Sequence, residues 1–188
     1  AAAGVRVPES ALFTAAADRA AVHAAAGTIG YPVFVKPVRS GSSLGVTRVE
    51  REEALDRALE EALLEDSEVL LEEAIEGFEV GCAVMGSGGA LTVGEVDEIE
   101  LSQGFFNFEE KYTLKTSAIH CPARIAPEKA SEIKETAKVL YRALGCEVLA
   151  RVDLFLTPEG SIVFNEINTI PGFTSHSRYP TMMARAGI

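Results

Sequence analysis

The chain holds no tryptophan, three cysteines and three histidines among its 188 residues. Nor does it contain an apolar run long enough to span a bilayer. Each scarcity excludes something. Cys82, Cys121 and Cys146 are far apart, so they make neither a metal-ligand pair nor an even-numbered disulfide framework, and they read as free thiols of a reducing cytoplasm. His23 and His120 each stand alone and read as structural. Positive charge is short as well. There are 17 Lys and Arg against 28 Asp and Glu, a net charge of −11, which argues against a nucleic-acid backbone as partner. An acidic protein still binds nucleotides, but only through local cations. The opening Ala1-Ala2-Ala3-Gly4 has no basic stretch leading into an apolar one, so it is not a signal peptide. The chain reads as a fragment of one large domain or two small lobes, with 47% hydrophobic residues to build a core.

What is present centres on Ser161–Arg178. Ser161-Ile162-Val163-Phe164-Asn165-Glu166-Ile167-Asn168 reads as a strand, and a polar loop with Pro171-Gly172 follows. Side chains alternate along a strand, which puts Glu166 and Asn168 on one face. Upstream, Arg151 and Asp153 share a face, with Val152, Leu154 and Leu156 on the other. Thr157-Pro158-Glu159-Gly160 between the two runs has the composition and length of a hairpin turn. Folding it brings Asp153 roughly opposite Glu166. Two adjacent carboxylates repel unless a cation lies between them, and oxygen-only ligands select a hard ion such as Mg²⁺. A solvated polar face on an ordinary hairpin gives the same alternation. Arg151 and the polar loop after Asn168 favour a site.

Earlier in the chain, Val5-Arg6-Val7-Pro8 is extended and Thr14–Ala26 reads as an Ala-rich helix stopped at Gly27. Tyr31–Pro37 is an apolar strand that ends in Lys36, a side chain that either meets a partner or snorkels outward. The next segment, Val38-Arg39-Ser40-Gly41-Ser42-Ser43-Leu44-Gly45, is small, polar and glycine-rich. Such a loop converges backbone N–H groups and serine hydroxyls on an anion. It is neither a P-loop nor a dinucleotide fingerprint, and alone it would pass for a flexible hairpin. A lysine five residues before it makes phosphate binding the better reading. Glu52–Leu64 is an amphipathic helix. Strands follow at Glu68–Ile75, Phe78–Met85 and Ala90–Val96, with Gly77 as the lobe boundary. Ser102–Thr113 carries three Phe in a polar setting and reads as a loop held by aromatic anchors. Pro127–Leu144 is a helix whose Ile133, Ala137, Leu140, Tyr141 and Leu144 share a face, ended by Gly145.

Taken together, these motifs resemble the D-alanine–D-alanine ligase family of the ATP-grasp fold. The pieces are Phe34-Val35-Lys36-Pro37 with Gly41–Gly45, Glu72-Glu73 with Glu79, Lys111-Tyr112, Arg151-Val152-Asp153 and Asn165–Thr174, in order over nearly the whole chain. The resemblance implies an α/β (α+β) architecture of two lobes, each a mainly antiparallel sheet with helices, with ATP between them. Residues 1–77 would form the central lobe and 78–188 the C-terminal lobe with the metal and substrate site. It also implies roles. Lys36 and the Gly41–Gly45 loop, with Ser42 and Ser43, would hold ATP phosphates. Glu72, Glu73 and the backbone through Ile75 would meet adenine, Glu79 the ribose, and Lys111 the γ-phosphate from a mobile lid. Asp153, Glu166 and Asn168 would bind two Mg²⁺ ions, with Mn²⁺ as an alternative. Arg151 and the Gly172 N–H would stabilise an oxyanion. Ser177 would hold the acceptor carboxylate, and Ser42 and Tyr112 would link the loops over the substrates, D-alanine and a second D-amino acid.

Departures from the family pattern carry information. Phe106 and Phe108 stand where ordinary members often have Tyr. Arg178 stands where many have an apolar residue, and Ser177-Arg178-Tyr179-Pro180 is similar to ligases of vancomycin-resistance systems. Arg178 is therefore a candidate for acceptor choice. Among those ligases the D-lactate-adding type has a different lid without the Lys111-Tyr112 ending, so the resemblance points to the D-Ala–D-Ala and D-Ala–D-Ser types. It further implies cytoplasmic peptidoglycan precursor synthesis, no nucleic-acid or membrane partner, and a homodimer for the full-length protein. The family's N-terminal domain lies outside this chain, so the chain by itself is expected to be nearly inactive. The rival readings are another ATP-grasp carboxylate–amine ligase and a nucleotide-binding module without catalysis.

Overall fold

Alternating apolar residues give this chain its sheets. In the computed structural model, which describes residues 3–101 and 117–188, two antiparallel sheets form, and each is backed by helices on its apolar face. Of the described residues, one compact unit holds Pro8–Ile75 and the other holds 3–7, 76–101 and 117–188. Residues 3–7 belong to the second unit because Arg6 bridges Val163 in parallel and its carbonyl accepts the Phe164 N–H at 2.8 Å.

The first unit contains β1 (Ser10–Thr14), α1 (Arg19–Ile29), β2 (Val33–Pro37), β3 (Thr47–Val49), a short 3₁₀ turn (Glu52–Ala54), α2 (Leu55–Glu65) and β4 (Glu68–Glu73). The strand order is β1-β4-β2-β3, antiparallel throughout. Val33, Val35, Val69 and Leu71 point to one side, where Val22 and Ala26 of α1 and Leu55, Ala58, Leu59 and Ala62 of α2 seal them from water. The spacing of the α2 residues is the i, i+3, i+4, i+7 stripe of a helix with one buried face.

The Ala-rich helix starts later than its composition indicates. Thr14 closes β1, a strand that the sequence reading passed over. Asp18 caps α1 by accepting the Ala20 N–H at 3.2 Å, a role for which a short carboxylate outcompetes the helix propensity of the alanines before it. The helix then runs through Gly27 and ends at Gly30, whose N–H donates to the Ala26 carbonyl at 2.9 Å.

The second unit contains β5 (Phe78–Ser87), β6 (Ala90–Leu101), β7 (Ser117–His120), α3 (Pro127–Ala143), β8 (Val148–Leu156), β9 (Ile162–Asn168) and α4 (Arg178–Arg185). Its strands run in the order β7-β6-β5-β8-β9, again all antiparallel. Val80, Cys82 and Val84 of β5 and Ala150, Val152 and Leu154 of β8 face Ile133, Ala137, Leu140 and Tyr141 of α3. Leu144, read as part of that stripe, instead forms the helix C-cap and is half exposed, because Gly145 turns the chain there at φ 65°. On the opposite face, Tyr179, Met182 and Met183 of α4 pack on Ala83. Two tyrosine hydroxyls of this unit find carbonyl partners, Tyr141 donating to Gly86 at 2.8 Å and Tyr179 to Val84 at 3.2 Å. Among the described residues no helix is long and apolar enough to cross a membrane.

Both isolated histidines sit in ion pairs. His120 Nε2 lies 2.6 Å from Glu100, and the His23 ring lies 3.0 Å from Glu52 and 3.2 Å from Asp56. The hydrogen bond to Glu52, then that to Asp56, raises the His23 pKa. A raised folded-state value means that this contribution to stability is complete below the unfolded value of about 6.5 and is lost as pH rises through the higher folded one. We expect His23→Gln to flatten the melting temperature against pH across that window. An unchanged slope would show that the pair contributes nothing.

Candidate active site

Residues paired directly across an antiparallel sheet stand on the same face. In the second unit Asp97 of β6 pairs with Gly81 of β5, Gly81 with Asp153 of β8, and Asp153 with Glu166 of β9. One row thus crosses four strands on the face opposite α3. Beside it Arg151 pairs with Asn168, and Glu79 lies two residues before Gly81 on the same side. A register shift after Asp153 fixes the last two pairings. The hairpin therefore brings Arg151, Asp153, Glu166 and Asn168 together.

Arg151 forms a fork on Asp153, with Nε donating to Oδ1 at 2.8 Å and Nη2 to Oδ2 at 2.8 Å. A second arginine reaches the row from α4. Arg178 donates from Nε to Asp97 Oδ2 at 2.8 Å, from Nη2 to Asp97 Oδ1 at 2.7 Å and from Nη1 to Glu79 at 2.9 Å, and Nη1 lies 3.4 Å from Asp153 Oδ1. The side chains of Arg178, Asp97 and Asp153 are 9%, 1% and 1% exposed. Burial works against the charged form of Arg178. Asp97 first, then Asp153 and Glu79, outweigh it, so the pKa stands well above the ordinary arginine value. Gly81 makes the space, since a Cβ there would fall 2.4 Å from Arg178 Nη2 and 2.6 Å from Asp97 Oδ1.

Among the described residues the charges on this face do not balance. Asp97, Glu79, Asp153 and Glu166 bring four carboxylates, against the two guanidinium groups of Arg151 and Arg178. The Glu166 carboxylate is exposed and has no side-chain partner among the described residues. Asn168 Oδ1 accepts the Ile170 N–H at 3.1 Å and keeps a lone pair. Two carboxylates, an amide oxygen and excess negative charge form the donor set of a hard divalent cation. No three His, Cys, Asp or Glu side chains among the described residues are placed to hold a metal ion together, so a cation here would complete its shell with Asn168, water or phosphate oxygens.

The loop after β9 folds on itself. Ser177 Oγ accepts the Thr174 N–H at 3.0 Å and lies 3.0 Å from the Thr174 hydroxyl, and a Cβ on Gly172 would stand 2.9 Å from that same Oγ. The Gly172 backbone and the Ser177 hydroxyl therefore lie together at the start of α4. Ile170 and Phe173 flank them, 88% and 66% exposed.

In the first unit, Lys36 and Glu72 extend from the face that α1 and α2 leave uncovered, and they form an ion pair there. Lys36 Nζ also stands 5.4 Å over the Phe34 ring. The adjoining loop has Ser42 and Ser43 at positive φ, 55° and 61°, a conformation that non-glycine residues seldom adopt. Asp66 anchors the start of this loop, accepting the Arg39 backbone N–H at 2.7 Å and its Nη1 at 2.9 Å. Glu73 accepts the Glu9 N–H at 3.0 Å at the β1 edge, and Ile75 follows β4 with intermediate burial. Lys111 and Tyr112, with Phe106 and Phe108, lie outside the described residues.

Asp97 and Gly81 are site residues that the sequence reading did not single out. Their signal was faint. Asp97 sits in a run of alternating acids, and Gly81 interrupts an otherwise apolar strand, the usual mark of a close approach.

Comparison with known proteins identifies the family and the fold. The family profile described as D-ala D-ala ligase C-terminus matches residues 1–188. The vancomycin/teicoplanin A-type resistance protein VanA of Enterococcus faecium is 53% identical over 167 residues, covering 87% of this chain and 49% of that protein. A putative D-alanine–D-lactate ligase of Streptomyces coelicolor is 52% identical over 166 residues, covering 86% of this chain and 48% of that protein. The solved VanG D-Ala:D-Ser ligase of Enterococcus faecalis matches with a TM-score of 0.90 and 55% identity over 100% of this chain and 54% of that one. This chain thus spans about half the length of the relatives it matches. It belongs to the D-alanine–D-alanine ligase C-terminus family and has the ATP-grasp fold.

Proposed function

We propose that the intact protein carrying this chain is an ATP- and Mg²⁺-dependent ligase that joins D-alanine to a second D-amino acid, in cytoplasmic synthesis of peptidoglycan precursors. The observation that carries this reading is the row of Asp153, Glu166 and Asn168 beside Arg151, in a chain matched from end to end by the ligase family. A purely nucleotide-binding module has no use for that set.

In this reading Lys36 and the Gly41–Gly45 loop, with Ser42 and Ser43, hold the phosphates, Glu72, Glu73 and the backbone to Ile75 hold the base, and Glu79 takes the ribose. A carboxylate has roughly four lone-pair positions, so the bond from Arg178 to Glu79 is compatible with accepting hydroxyl donors. Asp153, Glu166 and Asn168 would hold two Mg²⁺ ions, which would supply charge neutralisation for phosphoryl transfer. The D-alanine carboxylate attacks the γ-phosphorus and ADP leaves, giving an acyl phosphate. The acceptor amine then attacks the acyl carbon and phosphate departs. Arg151 and the Gly172 N–H donate to the oxyanion of that second step, where losing one donor typically costs about 3–4 kcal/mol. Ser177 holds the acceptor carboxylate, next to Gly172. The family resemblance assigns Lys111 to the γ-phosphate, and an acyl phosphate has to be kept from water.

D-Ala–D-Ala is the product we assign, with D-Ala–D-Ser as the second reading. The second is favoured by 55% identity to the VanG D-Ala:D-Ser ligase over the whole chain. Mg·ATP and D-alanine, with and without excess D-serine, separate the two when the dipeptides are resolved by mass. D-Ala–D-Ala in both reactions is the expected result. A switch to D-Ala–D-Ser establishes the second reading, and ADP release without any dipeptide removes both. Glu166→Gln is expected to lower ATP turnover by more than the roughly 10- to 100-fold typical of losing a metal ligand's partner. Unchanged turnover would remove Glu166 from the metal set.

A further inference from the structure

The roles above make no use of Asp97, yet it is 1% exposed and carries a bidentate ion pair. An arginine that served only to hold α4 on the sheet would be satisfied by that pair. Arg178 does more, because its remaining nitrogen, Nη1, reaches Glu79 at 2.9 Å and Asp153 at 3.4 Å. Its guanidinium fills the gap over Gly81, so its plane is set by the sheet beneath and by the fork on Asp97.

We propose that Asp97, acting through Arg178, is a positioning residue: it fixes the guanidinium so that Asp153 and Glu79 are oriented while Asp153 keeps its capacity for a metal ion. This rests on the ligase reading of the same face. The physical reason is competition for one carboxylate. With both Asp97 oxygens engaged, Arg178 is held 3.4 Å from Asp153, a distance longer than a hydrogen bond. Without the charge of Asp97, the guanidinium closes on Asp153, which Arg151 already grips, and a divalent cation must displace it. Arg178 also begins α4 directly after Ser177, so the same fork sets where the Gly172–Ser177 turn starts. Asp97 thereby ties the metal-facing carboxylate to the acceptor turn.

Asp97→Asn in the intact protein tests this, because it keeps the shape and removes the charge. Mn²⁺ binding, read by water-proton relaxation with a non-hydrolysable ATP analogue, is expected to weaken roughly 10- to 100-fold. The Mg²⁺ concentration for half-maximal turnover is expected to rise in parallel. A merely structural role lowers the melting temperature but leaves Mn²⁺ affinity alone, and that outcome overturns the proposal. If Asp97→Asn does not fold, Arg178→Lys carries the test, since an ammonium keeps the charge but cannot bridge three carboxylates. The same weakening supports positioning, and wild-type affinity overturns it. Wild-type protein that binds Mn²⁺ but yields no dipeptide defeats the ligase reading, and the variants still decide the positioning. Wild-type protein that binds no Mn²⁺ overturns it outright.

Discussion

A guanidinium cannot shed its charge by losing a proton, so once Arg178 is buried its charge has to be met by carboxylates. Much of the second unit answers to that requirement. Gly81 has to lack a side chain, or the guanidinium has no place to lie. Asp97 has to be dry, because its two oxygens are the fork's main partners. The strand order that sets β6, β5, β8 and β9 side by side is what lines up Asp97, Gly81, Asp153 and Glu166. Replacing one member of such a group leaves an uncompensated charge, which is far more costly than replacing the whole group by apolar residues. A buried ionic cluster of this kind is therefore better understood as a device for geometry than as a source of stability.

Both units follow the same plan at different scales. Each sheet gives its apolar face to helices, α1 and α2 in one and α3 in the other, and keeps its polar side chains on the opposite face. In the first unit that opposite face carries Lys36 against Glu72. In the second it is partly covered by α4, whose Tyr179, Met182 and Met183 bury themselves against Ala83 while Arg178 enters the carboxylate row. One short helix thus does two things at once. Its apolar residues hold it to the sheet by area, and its first residue is held by charge.

The core was legible because hydrophobic periodicity is a local property. The β8 alternation of Val152, Leu154 and Leu156 against Arg151 and Asp153, and the α2 stripe, could be read straight from residue spacing. The nearness of Asp153 and Glu166 was legible from the turn between the two runs, but their direct pairing depends on a bulge at Asn165 that no turn signal announces. β1 escaped notice because Ser10–Thr14 is a half-exposed edge strand with a mixed pattern. The start of α1 was misjudged because alanine propensity extends past the real cap, and only Asp18's bond to the Ala20 N–H marks the boundary. Asp97 stayed hidden for a different reason. Its partner is 81 residues away along the chain, and no local pattern distinguishes Asp97 from Glu95, Glu98 and Glu100 around it.

The irregularity between β8 and β9 has a consequence for how this hairpin tolerates change in length. Leu154 is opposite Phe164, yet Asp153 is opposite Glu166, so Asn165 is a supernumerary residue on β9. Face assignment in a strand depends on odd or even count. If Asn165 were instead paired in a regular ladder, Glu166 would stand opposite Val152, turned toward the apolar layer under α3, while Ile167 would take a place among the carboxylates. Deleting Asn165 itself would leave a regular ladder with Glu166 still opposite Asp153, whereas losing the bulge while keeping the residue would exchange the oily and ionic sides of the strand beyond it. The bulge is thus what lets Phe164 and Ile167, three residues apart, face the same apolar layer while Glu166 stays in the ionic row.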